Sequence, residues 1–272
     1  MNGKDKPKKS EESAPDAGVF ITKGMQINIP RFSIRIGPDG KLQSDPLVLH
    51  TSIDLCPYWL DIAYEQLLAA EKASEDLKTA KEAQNSEQIA TALHVEFTAG
   101  MQVIMASAVA MDAYYANVKD RIDFPNDLTR TWLEKGTARY KQIAEVLRRA
   151  FPMTHATAKK LRDILKQNLE FRNKAVHPPV GTTAPALHPE LNKVTDWRYV
   201  TFRYYNAKAT AGLTLSIIAQ TASRPPKDKF SALTSYCNSL MAKVEPMVKR
   251  WEIRFGKLFG EKGHLETRPT AT

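Results

Sequence analysis

A chain of 272 residues, 43% apolar and 25% charged, has the make-up of a soluble globular protein and can bury a core without disulfide or metal staples. Cys56 and Cys237 stand alone, with no Cys-x-x-Cys pair and no neighbouring histidines, which argues against a structural zinc site and for a reducing, cytoplasmic compartment. The net charge of +9 is uneven: residues 18–127 carry nine Lys/Arg against fifteen Asp/Glu, and residues 128–174 carry twelve against four. Such asymmetry points either to a polyanionic partner or to solvated helix faces.

Residues 1–17, MNGKDKPKKSEESAPDA, are polar, lack the apolar core of a secretory signal and read as a disordered tail. Residues 18–46 show β-branched alternation around a Gly-Pro-Asp-Gly turn at Gly37–Gly40, and predict a β-hairpin or three-stranded appendage. From residue 47 the β signal fades. Over 47–223, helices are predicted at 56–83, 87–121, 128–151, 155–177 and 194–222. A last one, at 229–259, lies in the basic C-terminal segment 224–272, which packs on the others and ends in a short tail. Pro125, Pro152, the stretch 178–189 and the sequence RPPKD at 224–228 mark the breaks. The most apolar run, Ala99–Met111, falls short of the roughly 20 residues a bilayer crossing needs, so no membrane span is expected. The fold class that follows is all-α: an antiparallel bundle of five or six helices with a small N-terminal β-hairpin and no strand beyond residue 45.

Two charged residues break the apolar stripes of these helices. On the 155–177 helix, Leu161, Ile164, Leu165, Leu169, Ala175 and Val176 share one face, and Arg172 falls about 20° from Leu161, near the centre of that face. On the 87–121 helix, Met101, Ile104, Met105, Ala108 and Tyr115 define a stripe, and Asp112 falls about 20° from Met101. An unpaired charge in a core costs several kcal/mol, on the order given for buried ions, so the economical expectation is a buried Asp112–Arg172 pair. The other reading has Arg172 snorkelling to solvent along its aliphatic stem. His177 precedes Pro178, so the helix must end there. Asn173 and His177 share one edge of the stripe, within reach of Arg172. A histidine at a helix C-terminus is also a common structural cap on the last carbonyls.

Arg-Asn-Lys-Ala-Val-His, residues 172–177, resembles the R-x4-6-H motif of the HEPN superfamily, including the polar residue directly after the arginine. Ser107–Ile122 is similar to the earlier helix of such domains, with Asp112 at the position of the acid that faces the motif arginine. The resemblance spans roughly residues 50–220 and implies an all-helical domain working as a homodimer. It also implies a metal-independent endoribonuclease leaving a 2′,3′-cyclic phosphate and a 5′-hydroxyl. Some members are toxins of toxin–antitoxin or phage-defence systems, which implies an antitoxin or other protein partner. On this reading Arg172, Asn173 and His177 are catalytic and Asp112 supports them. Arg148, Arg149 and Lys174 bind RNA, and no cofactor or metal takes part.

The chemistry suits those residue types. Cleavage of RNA by its own 2′-hydroxyl needs a base for that proton and an acid for the leaving 5′-oxygen, and histidine is the side chain suited to either near neutral pH. Arginine offers a fixed charge and forked donors to the pentacoordinate phosphorus. His94, Glu96, His155 and His188 are scattered, and HExxH, a phosphate-binding glycine loop and G-x-S-x-G are all missing. Two alternatives stay open: a non-catalytic module of the same fold that binds RNA or nucleotide, and a helical interaction protein in which the charged pair is structural.

Overall fold

The structure, a computed structural model, describes residues 20–31, 33–45, 48–179, 181–226 and 229–258. The expected tails at 1–17 and after 258 lie outside the described residues. The described residues form two units, one ending at Ile53 and one beginning at Asp54.

In the first unit, β1 (Met25–Asn28) pairs antiparallel with β4 (His50–Ile53), and β2 (Ile34–Ile36) pairs antiparallel with β3 (Leu42–Ser44). The β2–β3 turn is the expected one: Gly40 sits at φ +76°, where a side chain would be strained, and its N–H donates to the Gly37 carbonyl at 2.9 Å. The pairing of β1 with β4 carries the strands to residue 53, past the expected end of the appendage.

The second unit is mostly helical, with eight helices among the described residues rather than five or six. Helix α1 (Cys56–Glu82) buries Cys56, Leu60, Ala63, Leu67, Ala70, Ser74 and Leu77, an alternating four-and-three spacing that makes a coiled-coil seam. Helix α2 (Ser86–Asp120) answers with Ala92, Glu96, Ala99, Val103, Ala106 and Ala110 at the same spacing. The small side chains let the two run closely side by side as a helical hairpin. Asn85 closes the turn between them by accepting from the Gln88 N–H at 3.1 Å. By length and composition α2 is apolar enough to cross a membrane. Here it packs against α1 and four of the helices that follow.

The expected 128–151 helix is two: α3 (Asn126–Glu134) and α4 (Arg139–Ala150). Gly136, at φ +57°, takes the left-handed conformation that ends α3. Next come α5 (His155–Val176), then β5 (Ala186–His188) and β6 (Lys193–Thr195), then α6 (Trp197–Thr201) and α7 (Tyr204–Ala222). The β5–β6 hairpin corrects the expectation of no strand beyond residue 45. Its turn uses Asn192 at φ 52°, whose N–H donates to the His188 carbonyl at 2.8 Å. The expected 194–222 helix is therefore shortened, and Asp196 caps α6 by accepting from the Arg198 N–H at 2.8 Å.

Helix α7 docks tightly on α2. A Cβ on Gly100 would stand 1.9 Å from the Phe202 carbonyl oxygen, so only glycine fits. One turn before it the buried Glu96 accepts from the Tyr204 N–H at 2.9 Å, serving as a cap for α7 supplied by another helix. Helix α8 (Ser231–Phe255) packs on α7 and α1. Arg254 meets Glu71 at 2.7 Å, and Trp251 fills the space left by Gly212.

Candidate functional site

The R-x4-6-H residues sit at the far end of α5. Thr154 starts this helix by accepting from the Thr157 N–H at 3.1 Å. Thr157, Leu161, Leu165, Asn168 and Leu169 face the core, and the Asn168 amide donates to the Thr214 hydroxyl on α7 at 3.4 Å. Leu169 is the last buried residue of α5, so the helix runs two further turns past the core. The backbone leaves the helical conformation at His177, φ −126° and ψ 65°, ahead of Pro178 as the sequence requires.

On these last turns Arg172 is half-buried, and Asn173 and His177 are exposed. The Arg172 guanidinium donates to Asn173 Oδ1 at 3.1 Å, and the His177 N–H donates to the Asn173 carbonyl at 2.7 Å. The His177 ring makes no hydrogen bond to a described residue. Arg172, Asn173 and His177 thus lie on one open helix end, and of their side chains only those of Arg172 and Asn173 are joined by a hydrogen bond.

The expected Asp112–Arg172 pair is not formed. Asp112 is held by Arg139 of α4, Nε to Oδ1 at 2.7 Å, and the two side chains keep 31% and 43% of their surface in solvent. Asp112 lies on the rim of the core, not inside it. Arg172 follows the apolar stripe in direction, but α5 has outrun the helices that would have buried it. Among the described residues no carboxylate lies within ion-pair distance of Arg172.

Lys174 is exposed on the same helix end, its Nζ 5.9 Å from the centre of the Trp197 ring and 5.8 Å from that of Phe171. Arg198 covers Trp197 from 5.0 Å. Arg198 is itself paired with Asp196 at 2.7 Å, so the cation added beside Arg172 and Asn173 is Lys174, resting between two aromatic rings. Arg148 and Arg149 do not join them. Both are exposed at the end of α4, bound to Glu145 at 2.8 and 2.6 Å, and they line a groove with His155 at the start of α5. The 22 residues of α5 put that groove about 30 Å from His177 at the usual helical rise.

Two features escaped the sequence reading. One is this groove, about 570 Å³, between α3, α4 and the first half of α5. The other is a buried polar cluster at the β5–β6 turn. His188 is fully buried, its Nδ1 3.3 Å from Glu190 Oε2, while Glu190 Oε1 accepts from Arg203 at 2.8 Å. Neither ring nitrogen of His188 makes a hydrogen bond within the described residues. Burial, and secondarily Arg203, hold its imidazole below the ordinary histidine range, with Glu190 opposing. Glu96 is close enough to feel the same charges, and burial pushes its carboxyl up. The signal for this cluster was Asn192, at a hairpin turn that lies just past the stretch 178–189 read as a break. No family model, curated protein or solved structure matches the chain.

Proposed function

We propose that this chain is a metal-independent endoribonuclease of HEPN type. It has a HEPN-like bundle, works as a cytoplasmic homodimer on single-stranded RNA, and belongs to a toxin–antitoxin or phage-defence setting. The observation that carries the reading is that His177 is open to solvent on the same two helical turns as Arg172 and Asn173, with no acid among the described residues tying up the guanidinium. Lys174, exposed on the same helix end, adds positive charge beside them.

In the proposed reaction Arg172 holds the non-bridging phosphate oxygens and Asn173 fixes its fork. The 2′-oxygen attacks phosphorus, losing its proton to an imidazole, and the P–O5′ bond breaks as the departing oxygen takes a proton. One chain supplies one such imidazole, and a second copy across a two-fold axis supplies the other. The same fact favours the second reading, an RNA-binding module without catalysis, should the chain act alone. The test is cleavage of labelled single-stranded RNA in EDTA by the parent and by His177→Ala. Loss in the variant is expected; equal cleavage by both would remove His177 from the mechanism and leave the binding module.

A further inference from the structure

We infer that the groove between α3, α4 and α5 is a second RNA-contact site, and that the exposed face of α5 joins it to His177 as one continuous track. This rests on the reading of the His177 end as the place where RNA is cut. Lys141, Arg148, Arg149, His155, Lys159 and Arg162 line the groove above an apolar floor that includes Leu128 and Ala144. Its one carboxylate, Glu145, is shared between two guanidiniums. Hydrogen bonds from Arg148, then from Arg149, hold it below the usual carboxylate range against the pull of burial. Lys159 and Arg162 have no ion-pair partner among the described residues. The groove therefore keeps an excess of positive charge that the described residues do not neutralise, as a phosphate backbone requires of its binder.

The helix connects the two ends. With Lys159 as the reference direction, His155, Arg162, Lys166, Asn173 and His177 all lie within about 60° of it on a helical wheel. All of them are exposed. Asp163 and Glu170 also fall on this face, and Lys166 holds Glu170 at 3.8 Å. A strand laid from His155 to His177 covers about 33 Å, or roughly ten nucleotides at the 3.4 Å rise of a helical strand. An acidic protein is the other polyanion such a face would suit. RNA is favoured because the track ends on Asn173 and His177, two of the three residues proposed to cut it; Arg172 lies round the same helix end, on the side of the apolar stripe.

The experiment uses the full chain carrying His177→Ala, so that RNA survives, and reads binding by fluorescence anisotropy. Labelled single-stranded RNAs of about 5 and about 16 nucleotides bracket the track length. The longer RNA should bind about tenfold or more tightly, and Lys159→Ala/Arg162→Ala should remove most of that gain. The slope of log affinity against log salt should fall by about 1.4 in the double variant, two single-strand phosphate contacts at about 0.7 each. Lys72→Ala/Lys78→Ala, two exposed lysines on α1, is the charge-matched control. Equal affinity for both lengths, or an unchanged salt slope in the double variant, overturns the track and hands the groove to an acidic protein. The reading of His177 stands or falls separately: groove-dependent binding without cleavage by the parent sinks the catalysis alone, and cleavage indifferent to the groove sinks the track alone.

Discussion

The Nε of Arg139 lies 2.7 Å from Oδ1 of Asp112, and the same guanidinium stands 4.1 Å above the ring of Tyr115. One cation thus ties the start of α4 to the middle of α2 by an ion pair and a cation–π contact. Both charges keep water contact, so the pair should be worth no more than about 1 kcal/mol, with the ring contact adding a similar amount. A double-mutant cycle over Asp112→Ala and Arg139→Ala, followed by chemical unfolding, checks this. A coupling of 3 kcal/mol or more, of the order found on breaking buried pairs, would contradict the half-exposed geometry. Asp112→Asn should leave RNA cleavage within a factor of about two, since nothing places that carboxylate on Arg172.

Why the sequence pointed to the wrong arginine is a matter of where the core stops. Periodicity gives the direction of a side chain around its helix and says nothing of whether a neighbour is there to cover it. Arg172 and Leu165 face the same way, yet the helices packed on α5 end their cover at Leu169. Arg139 was hidden by reading 128–151 as one helix. The Gly136 turn moves it from mid-helix to the first residue of α4, where it reaches α2. The boundaries of α1, α2 and α5 were legible because capping residues and prolines mark them locally. The β5–β6 hairpin was not, because three-residue strands carry too few positions to show alternation.

Gly100 is the tightest point of the helical unit. Replacing it by alanine would bring a methyl group to 1.9 Å from a backbone oxygen, which no rotamer change relieves. The start of α7 must then move off α2, and with it the Tyr204 N–H that Glu96 accepts. Gly100→Ala should cost about 1–3 kcal/mol or more, which lowers the melting temperature by several degrees in a protein of this size. An unchanged melting temperature would show that the 202–204 segment gives way freely.

His188 predicts a pH dependence of stability. Its imidazole is held below the ordinary range in the folded chain, so the unfolded chain takes up a proton first as pH falls. Stability from this residue is complete above the ordinary histidine value of about 6.5 and is lost as pH drops through it toward the lowered folded value. Glu96 acts oppositely, because its raised carboxyl accepts a proton more readily when folded, so acid relieves a buried charge. His188→Gln isolates the first effect. Its melting temperature should fall less than the parent's between about pH 7 and pH 5.5. Parallel curves would mean that Glu190 stabilises the imidazolium as well as burial opposes it.

The catalytic prediction carries the proposed function and gains a cleaner probe from the geometry. Since Arg172 pairs with no carboxylate among the described residues, its replacement strands no buried acid, and Arg172→Ala should stay within about 0.5 kcal/mol of the parent in stability. The variant should nonetheless lose RNA cleavage, and Arg172→Lys should lose most of it, because lysine keeps the charge but not the fork that grips two phosphate oxygens. His177→Ala should cut the rate by about 10²–10⁴ while RNA still binds, as expected for removal of general acid–base catalysis from an exposed residue. Activity should persist in EDTA and fall on dilution as the proposed homodimer dissociates, with sedimentation tracking the same concentration range. Cleavage that stops with chelator and returns with magnesium would refute this chemistry. A monomer by sedimentation that still cleaves would refute the shared site, since one chain would then have to supply both the base and the acid from a helix end that offers a single imidazole.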